Sequence, residues 1–327
     1  EITCRDWSSD VCSSDLEIKG DVGKWLGYHY RQSFNKYSDP YSLDNLSSSL
    51  ELAYVNLKAR HNLNFTIGKQ FVNFGGYEYY VNSIRVREFS EFNNLLTAYQ
   101  AGISGNWQVN PDHELCFQIV NNRNGNDEDI YPTGLPEGTA KAKIPFMYTV
   151  NWNSYYLDKS LQLRYATAVG QQTRKRYSYY FTCGNTYEKG PLLTYLDVMY
   201  TRQGIDQHGV VSRLPGTPHT AMNTEYLSII GDVDYRVHPQ WNVYVKGAYE
   251  TARVYKGNGD FRKGMYRRSW NAQSSVEFFP FKQLDLFVFV LYTYRGVILE
   301  KAATRMGAIE PDTHRISLGL VYSIPVF

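Results

Sequence analysis

Residues 313–327 read THRISLGLVYSIPVF. Ile316, Leu318, Leu320 and Tyr322 fall on one side of an extended chain, and Arg315, Ser317 and Gly319 fall on the other. A period of two marks a strand whose two faces meet different surroundings. The run closes on an aromatic, Phe327, which lies out of phase with the stripe that ends at Tyr322. Pro325 cannot donate a ladder hydrogen bond, so a bulge or frayed end is expected at Ile324 and Pro325.

The same alternation accounts for the composition. The chain has 327 residues, 43% of them hydrophobic and 16% aromatic, with 29 Tyr against 16 Phe and 6 Trp. Mean hydropathy is −0.45, and no run approaches the ~20 apolar residues that a spanning helix needs. A barrel with a wet interior needs only every second residue to meet lipid, so a polar average is compatible with a membrane-embedded wall. Lys plus Arg number 34 and Asp plus Glu 32, a net charge of +2, which gives no support to nucleic-acid binding. Cys4, Cys12, Cys116 and Cys183 show no paired spacing, so neither a disulfide framework nor a metal site is expected.

From Val22 onward one pattern repeats: short polar turn, alternating strand, long polar loop, strand. The short turns are Arg60–Asn62, Val109–Glu114, Leu157–Ser160, Thr186–Gly190, His238–Gln240 and Phe281–Gln283. Most of them lead into an apolar stripe: Leu63, Phe65, Ile67; Leu115, Phe117, Ile119; Leu161, Leu163, Tyr165; Trp241, Val243, Val245; Leu284, Leu286, Val288. The long connections are expected at 35–48, 71–96, 122–144, 202–223, 251–265 and 296–312, with a shorter one near 171–176. Tight turns on one side and long loops on the other is the asymmetry of outer-membrane barrels, and a sandwich has no reason to alternate them so regularly. The fold class is therefore all-β, an antiparallel transmembrane β-barrel with about fourteen visible strands of a probable sixteen. The first strand is expected near Lys24–Phe34, and the chain end shares the side of the short turns, the periplasmic side. Trp25, Trp107, Tyr148, Tyr235, Trp241 and Tyr292 near strand ends fit interfacial girdles.

The segment Asp6–Leu16, DWSSDVCSSDL, resembles a one-frame translation of a sequencing-library adapter. Residues 1–16 are expected to be an artefactual or disordered leader, leaving 17–327 as the barrel.

No catalytic arrangement stands out. The seven histidines lie in turns, loops or strand ends without the i, i+4 spacing of a helical metal site, and neither a G-x-S-x-G elbow nor a phosphate-cradling glycine loop is present. No enzyme activity and no cofactor are expected. The loop FVNFGGYEYYVNSIRVREFSEFNNLL at 71–96 is more informative. A loop this long is functional or disordered, and its aromatic content argues against disorder. Either it folds into the barrel and narrows the pore, with Tyr77, Tyr79, Arg85, Arg87 and Glu88 at the constriction, or it forms an outer lid. By alternation the lumen-facing charges are Arg31, Arg164, Lys246, Arg267 and Arg315, with Glu114, Asp232, Asp234, Glu250 and Glu277 opposing them. Such charges either focus a field across a water-filled channel or bridge across it.

Three stretches, Ile67–Ile84 (IGKQFVNFGGYEYYVNSI), Ala101–Gly125 (AGISGNWQVNPDHELCFQIVNNRNG) and Tyr235–Ala252 (YRVHPQWNVYVKGAYETA), resemble the Bacteroidetes branch of the phosphate-selective porin O and P family. The resemblance runs in scattered blocks from about Lys24 to Phe327. It implies a sixteen-stranded, trimeric porin with one loop folded inward, passing small hydrophilic and anionic, phosphate-like solutes. The expected partners are the lipid bilayer, lipopolysaccharide, two further copies of the chain, and the barrel-assembly machinery acting on the strand that ends at Phe327. Selective members carry arginine ladders and lysine clusters, whereas the lumen here sets five cations against five acids. Two rival readings share the sequence: a barrel closed by its loops that serves as an adhesin or docking platform, and a soluble β protein that binds glycans through its tyrosines.

Overall fold

The computed structural model describes residues 2–5, 15–33, 50–81, 83–122, 130–131, 133–217 and 219–322. Sixteen strands form one sheet in strict chain order, each hydrogen-bonded to its neighbours. The first half comprises β1 (Ile2–Arg5), β2 (Asp15–Val22), β3 (Leu26–Ser33), β4 (Leu50–Arg60), β5 (Leu63–Phe71), β6 (Tyr99–Asn110), β7 (His113–Asn121) and β8 (Phe146–Tyr156). The second half comprises β9 (Leu161–Thr173), β10 (Arg176–Lys189), β11 (Leu192–Ile205), β12 (Met222–His238), β13 (Trp241–Val254), β14 (Gly264–Phe278), β15 (Leu286–Leu299) and β16 (Thr313–Tyr322). All adjacent pairs are antiparallel, an up-and-down meander. Among the described residues no pairing joins β16 to β1. This is the wall of an antiparallel transmembrane β-barrel.

Fourteen of these strands, β3 to β16, correspond to the alternating segments expected after residue 24. Two more precede them. β2 starts at Asp15, and β1 pairs with it through Ile2↔Ile18 and Arg5↔Asp15. Of the adapter-like segment 6–16, residues 6–14 lie outside the described residues while Asp15 and Leu16 begin β2; the loop at 34–49 and the chain end at 323–327 with Pro325 and Phe327 also lie outside.

Alternation maps directly onto the two faces of the sheet. Ile316, Leu318 and Leu320 are 73%, 81% and 53% exposed, and Phe65, Phe117, Ile119, Trp241, Val245 and Val288 are exposed on the same outer face. Residues that alternate with such outer positions, among them Gln118, Thr149, Lys246 and Gln273, are buried. In water such an outer stripe is an aggregation hazard, but in a bilayer it is the contact surface.

The buried apolar cluster sits inside the wall. Val72, Phe74, Tyr79, Phe92 and Leu96 from the β5–β6 connection pack with Tyr180, Met199, Tyr226 and Ile230 from β10 to β12. Each fully buried side chain of this size contributes about 1.5–3 kcal/mol of transfer free energy. A loop with this much apolar surface therefore has a strong reason to lie against the sheet.

Candidate functional site

The β5–β6 connection closes at its neck, where the Val72 N–H donates to the Ala98 carbonyl at 2.9 Å. Between these points the chain runs along the inner face of the sheet, held at two places by carboxylates that accept backbone N–H groups. Asp197 on β11, fully buried, accepts from the N–H of Tyr77 at 2.8 Å and of Glu78 at 2.8 Å. Glu250 on β13 accepts from the N–H of Phe92 at 2.8 Å and of Glu91 at 3.1 Å. Both contacts fall on the first residues of short helical turns, Glu78–Tyr80 and Glu91–Asn94. The first N–H groups of a helical turn have no internal partner, so a carboxylate there satisfies them and meets the favourable end of the peptide dipoles.

Close approach to the wall requires glycine. Gly76 has φ +79°, and a Cβ on Gly184 of β10 would come within 2.5 Å of the Gly76 Cα. Here the Gly76 N–H donates to the Arg164 carbonyl at 3.1 Å.

Apart from Arg85, the charged side chains of the loop pair with the wall. Glu78 pairs with Lys246 and also accepts from the Ser90 hydroxyl at 2.6 Å. Arg87 pairs with Glu277 on β14 and lies over the rings of Phe287 and Phe289. Glu88 pairs with Arg315 on β16. Glu91 pairs with Arg267 and, at 3.1 Å, with Arg295, and both arginines also reach Glu310 from the β15–β16 connection. Lys246 and Gln273 additionally donate to the Glu88 carbonyl, and Tyr244 donates to the Val86 carbonyl at 3.1 Å.

Other residues singled out from the sequence take different positions. Tyr79 is buried among Phe71, Phe74 and Tyr80. Tyr77 is stacked toward Tyr195 with a centroid distance of 5.0 Å, and Arg164 lies over Tyr77 and Tyr80 at 5.7 and 5.5 Å. Arg85 is exposed and has no ion pair among the described residues. Arg31 on β3 pairs with Glu51 of the adjacent strand β4 at 2.8 Å. Asp234 accepts from Asn242 at 2.7 Å, and Asp232 is buried with Oδ1 free of hydrogen bonds. The structure thus brings Arg87, Glu88, Lys246, Arg267 and Glu250 into one docking system with the loop, leaving Arg85 and Arg164 as cations outside its ion pairs.

Sequence reasoning passed over Asp197, Glu78 and Arg295. Asp197 did carry a signal. The inward stripe of β11 runs Leu193, Tyr195, Asp197, Met199, Thr201, Gln203, and its first four residues set one acid among large, mostly apolar side chains. A lumen wall facing water has no need of such a stripe, and a wall covered by a loop does.

An antiparallel strand meander with an apolar outer stripe, long loops on one side, and a charged loop lying across the inner face defines a porin-type barrel. The profile of the phosphate-selective porin O and P family matches residues 10–324, and the chain belongs to that family. It is an outer-membrane protein and a passive diffusion channel. Solved structures share the fold at low identity. The outer membrane channel DcaP of Acinetobacter baumannii is 12% identical with a TM-score of 0.57, covering 94% of this chain and 82% of its own. The anion-selective porin from Comamonas acidovorans is 10% identical at 0.54, covering 96% and 89%. OmpF of Salmonella typhi is 13% identical at 0.58, covering 98% and 93%. A search of curated sequences returns no match.

Proposed function

We propose that residues 72–98 form the constriction of this channel and that the pore passes small hydrophilic solutes with a mild preference for anions. The observation that carries this reading is the matching of charges. Every acid of the loop, Glu78, Glu88 and Glu91, is neutralised by a wall cation, and Arg87 by a wall acid. What remains for a passing solute is Arg85, with Arg164 on its two tyrosine rings. Asp232 stays within electrostatic reach of Arg85, so the field is mixed. That argues for weak anion preference and against a dedicated phosphate site. Selection is steric and electrostatic, and no bond is made or broken.

The chain assembles as a homotrimer in the outer membrane; an outer membrane protein of the same fold, OmpT of Vibrio cholerae, is described in a trimer form. Lipid and lipopolysaccharide cover the outer stripe, and the assembly machinery takes up the C-terminal strand. Purified protein in a planar bilayer under a salt gradient tests the reading: stepwise conductance with a reversal potential on the anion side is expected, and Arg85→Gln should move that potential toward cations. Stepwise conductance that Arg85→Gln leaves unchanged would remove Arg85 from the pore.

A further inference from the structure

The outer face carries one feature that transport does not use. Across β5 to β8 the wall is hollowed into a groove of about 1090 Å³. Its sides are Phe65, Ile103, Phe117 and Tyr148, all exposed, and its floor includes Gly105. A barrel wall is ordinarily convex, and a missing side chain in the lining deepens such a hollow locally.

Gly105 supplies it, and the fold does not require a glycine there. Its backbone is not in the left-handed region, and an added Cβ would meet only the Phe65 ring, at 3.4 and 3.6 Å, an ordinary contact. The contrast with Gly184, where a Cβ would run into the Gly76 backbone, is direct. Glycine inside a strand costs roughly 0.5–1 kcal/mol relative to alanine, and close approach of a ligand is one physical reason to keep it where the backbone does not demand it.

The chemistry of the groove names the occupant. Most of its lining is apolar, which suits a hydrocarbon chain. One end is polar, with Arg60 and Asn62 of the β4–β5 turn, and Arg60 is exposed with no ion pair among the described residues. Short turns of such barrels lie on the periplasmic side. We propose that the groove holds one anionic glycerophospholipid of the periplasmic leaflet, with an acyl chain over Gly105 and the phosphate against the Arg60 guanidinium. Arginine pairs well with phosphate because its planar fork of donors matches the oxygens.

Native mass spectrometry of the assembled protein in detergent, supplemented with phosphatidylglycerol or phosphatidylcholine, tests this. The wild-type chain should retain one phosphatidylglycerol in preference to phosphatidylcholine. Gly105→Leu, whose Cβ meets the Phe65 ring at ordinary contact distance, should lower that retention by about tenfold or more, the loss of a chain-sized contact. Arg60→Gln should abolish the preference between the two lipids. Gly247→Leu, at an exposed strand position where a Cβ meets nothing within 4 Å, should change neither. Unchanged retention by Gly105→Leu, or no lipid preference in the wild type, would overturn the proposal. A smaller oligomer in Gly105→Leu would also overturn it, by showing that a second copy of the chain occupies the groove.

Discussion

Lys246 on β13 directs its ammonium at the Glu78 carboxylate of the β5–β6 loop, and the two side chains are 1% and 0% exposed. A buried pair of this kind contributes little net stability over an apolar pair of the same size, but removing one partner strands a charge in a dry site. The pair therefore fixes where the loop lies. Lys246→Met should destabilise the docked loop by about 3–5 kcal/mol, read as noisier open-channel current and a lower temperature for the heat-induced gel shift. The double variant Lys246→Met, Glu78→Gln should recover part of both effects. Equal behaviour of single and double variants would deny the coupling.

Arg85 and Arg87 are two residues apart and should behave differently. Arg87→Gln leaves Glu277 without its ion pair inside the barrel, so it should act on loop stability and current noise. Arg85→Gln should act on ion selectivity with little effect on stability, because exposed charges contribute little to folding. Bilayer recordings of both variants against one thermal series separate the two roles, and a reversed pattern would exchange the assignments.

Removing the Asp197 carboxylate should loosen the first anchor. Asp197→Ala leaves the N–H groups of Tyr77 and Glu78 without their acceptor, and losing hydrogen bonds to a charged group costs about 1.5–3 kcal/mol each. Limited proteolysis of the detergent-solubilised barrel should then cut within 72–98, where the wild-type loop is protected. Identical cleavage patterns would exclude Asp197 as an anchor.

How much of this was legible in the sequence differs between the two faces of the wall. The outer stripe is written locally, since Leu63, Phe65 and Ile67 each carry their own evidence of lipid contact. The short turns follow from the same local pattern, and so does the unusual length of the β5–β6 loop. The docking of that loop is not local: Asp197 and Glu250 lie more than a hundred residues from the N–H groups they hold. Alternation says only that such residues point inward, not whether they meet water or a loop. That is why Lys246, Arg267 and Glu250, read from the sequence as lumen charges, are found to be partners of the loop.

A buried imidazole adds a pH dependence. His208, in the β11–β12 connection, is stacked on Tyr226 at 5.0 Å and lies edge-on to Phe92 at 5.1 Å, and neither ring nitrogen has a hydrogen-bond partner among the described residues. Burial pushes its pKa down to about 3. Between that value and the ordinary histidine value near 6.5, the unfolded chain binds a proton that the folded one does not. Stability from this group is complete above about pH 6.5 and falls by about 1.4 kcal/mol per pH unit on acidification toward pH 3. The gel-shift temperature should drop more steeply between pH 7 and pH 4 in the wild type than in His208→Phe. Parallel profiles would show that the ring is hydrated or paired in the folded protein.

Residues 72–98 are proposed to narrow an open barrel. Single-channel conductance of the wild-type chain, compared with a variant in which residues 77–93 are replaced by a short Gly-Ser link, tests this most directly. Discrete steps in the wild type and larger steps in the shortened chain are predicted; equal step sizes, or no conductance from the wild type, would contradict it.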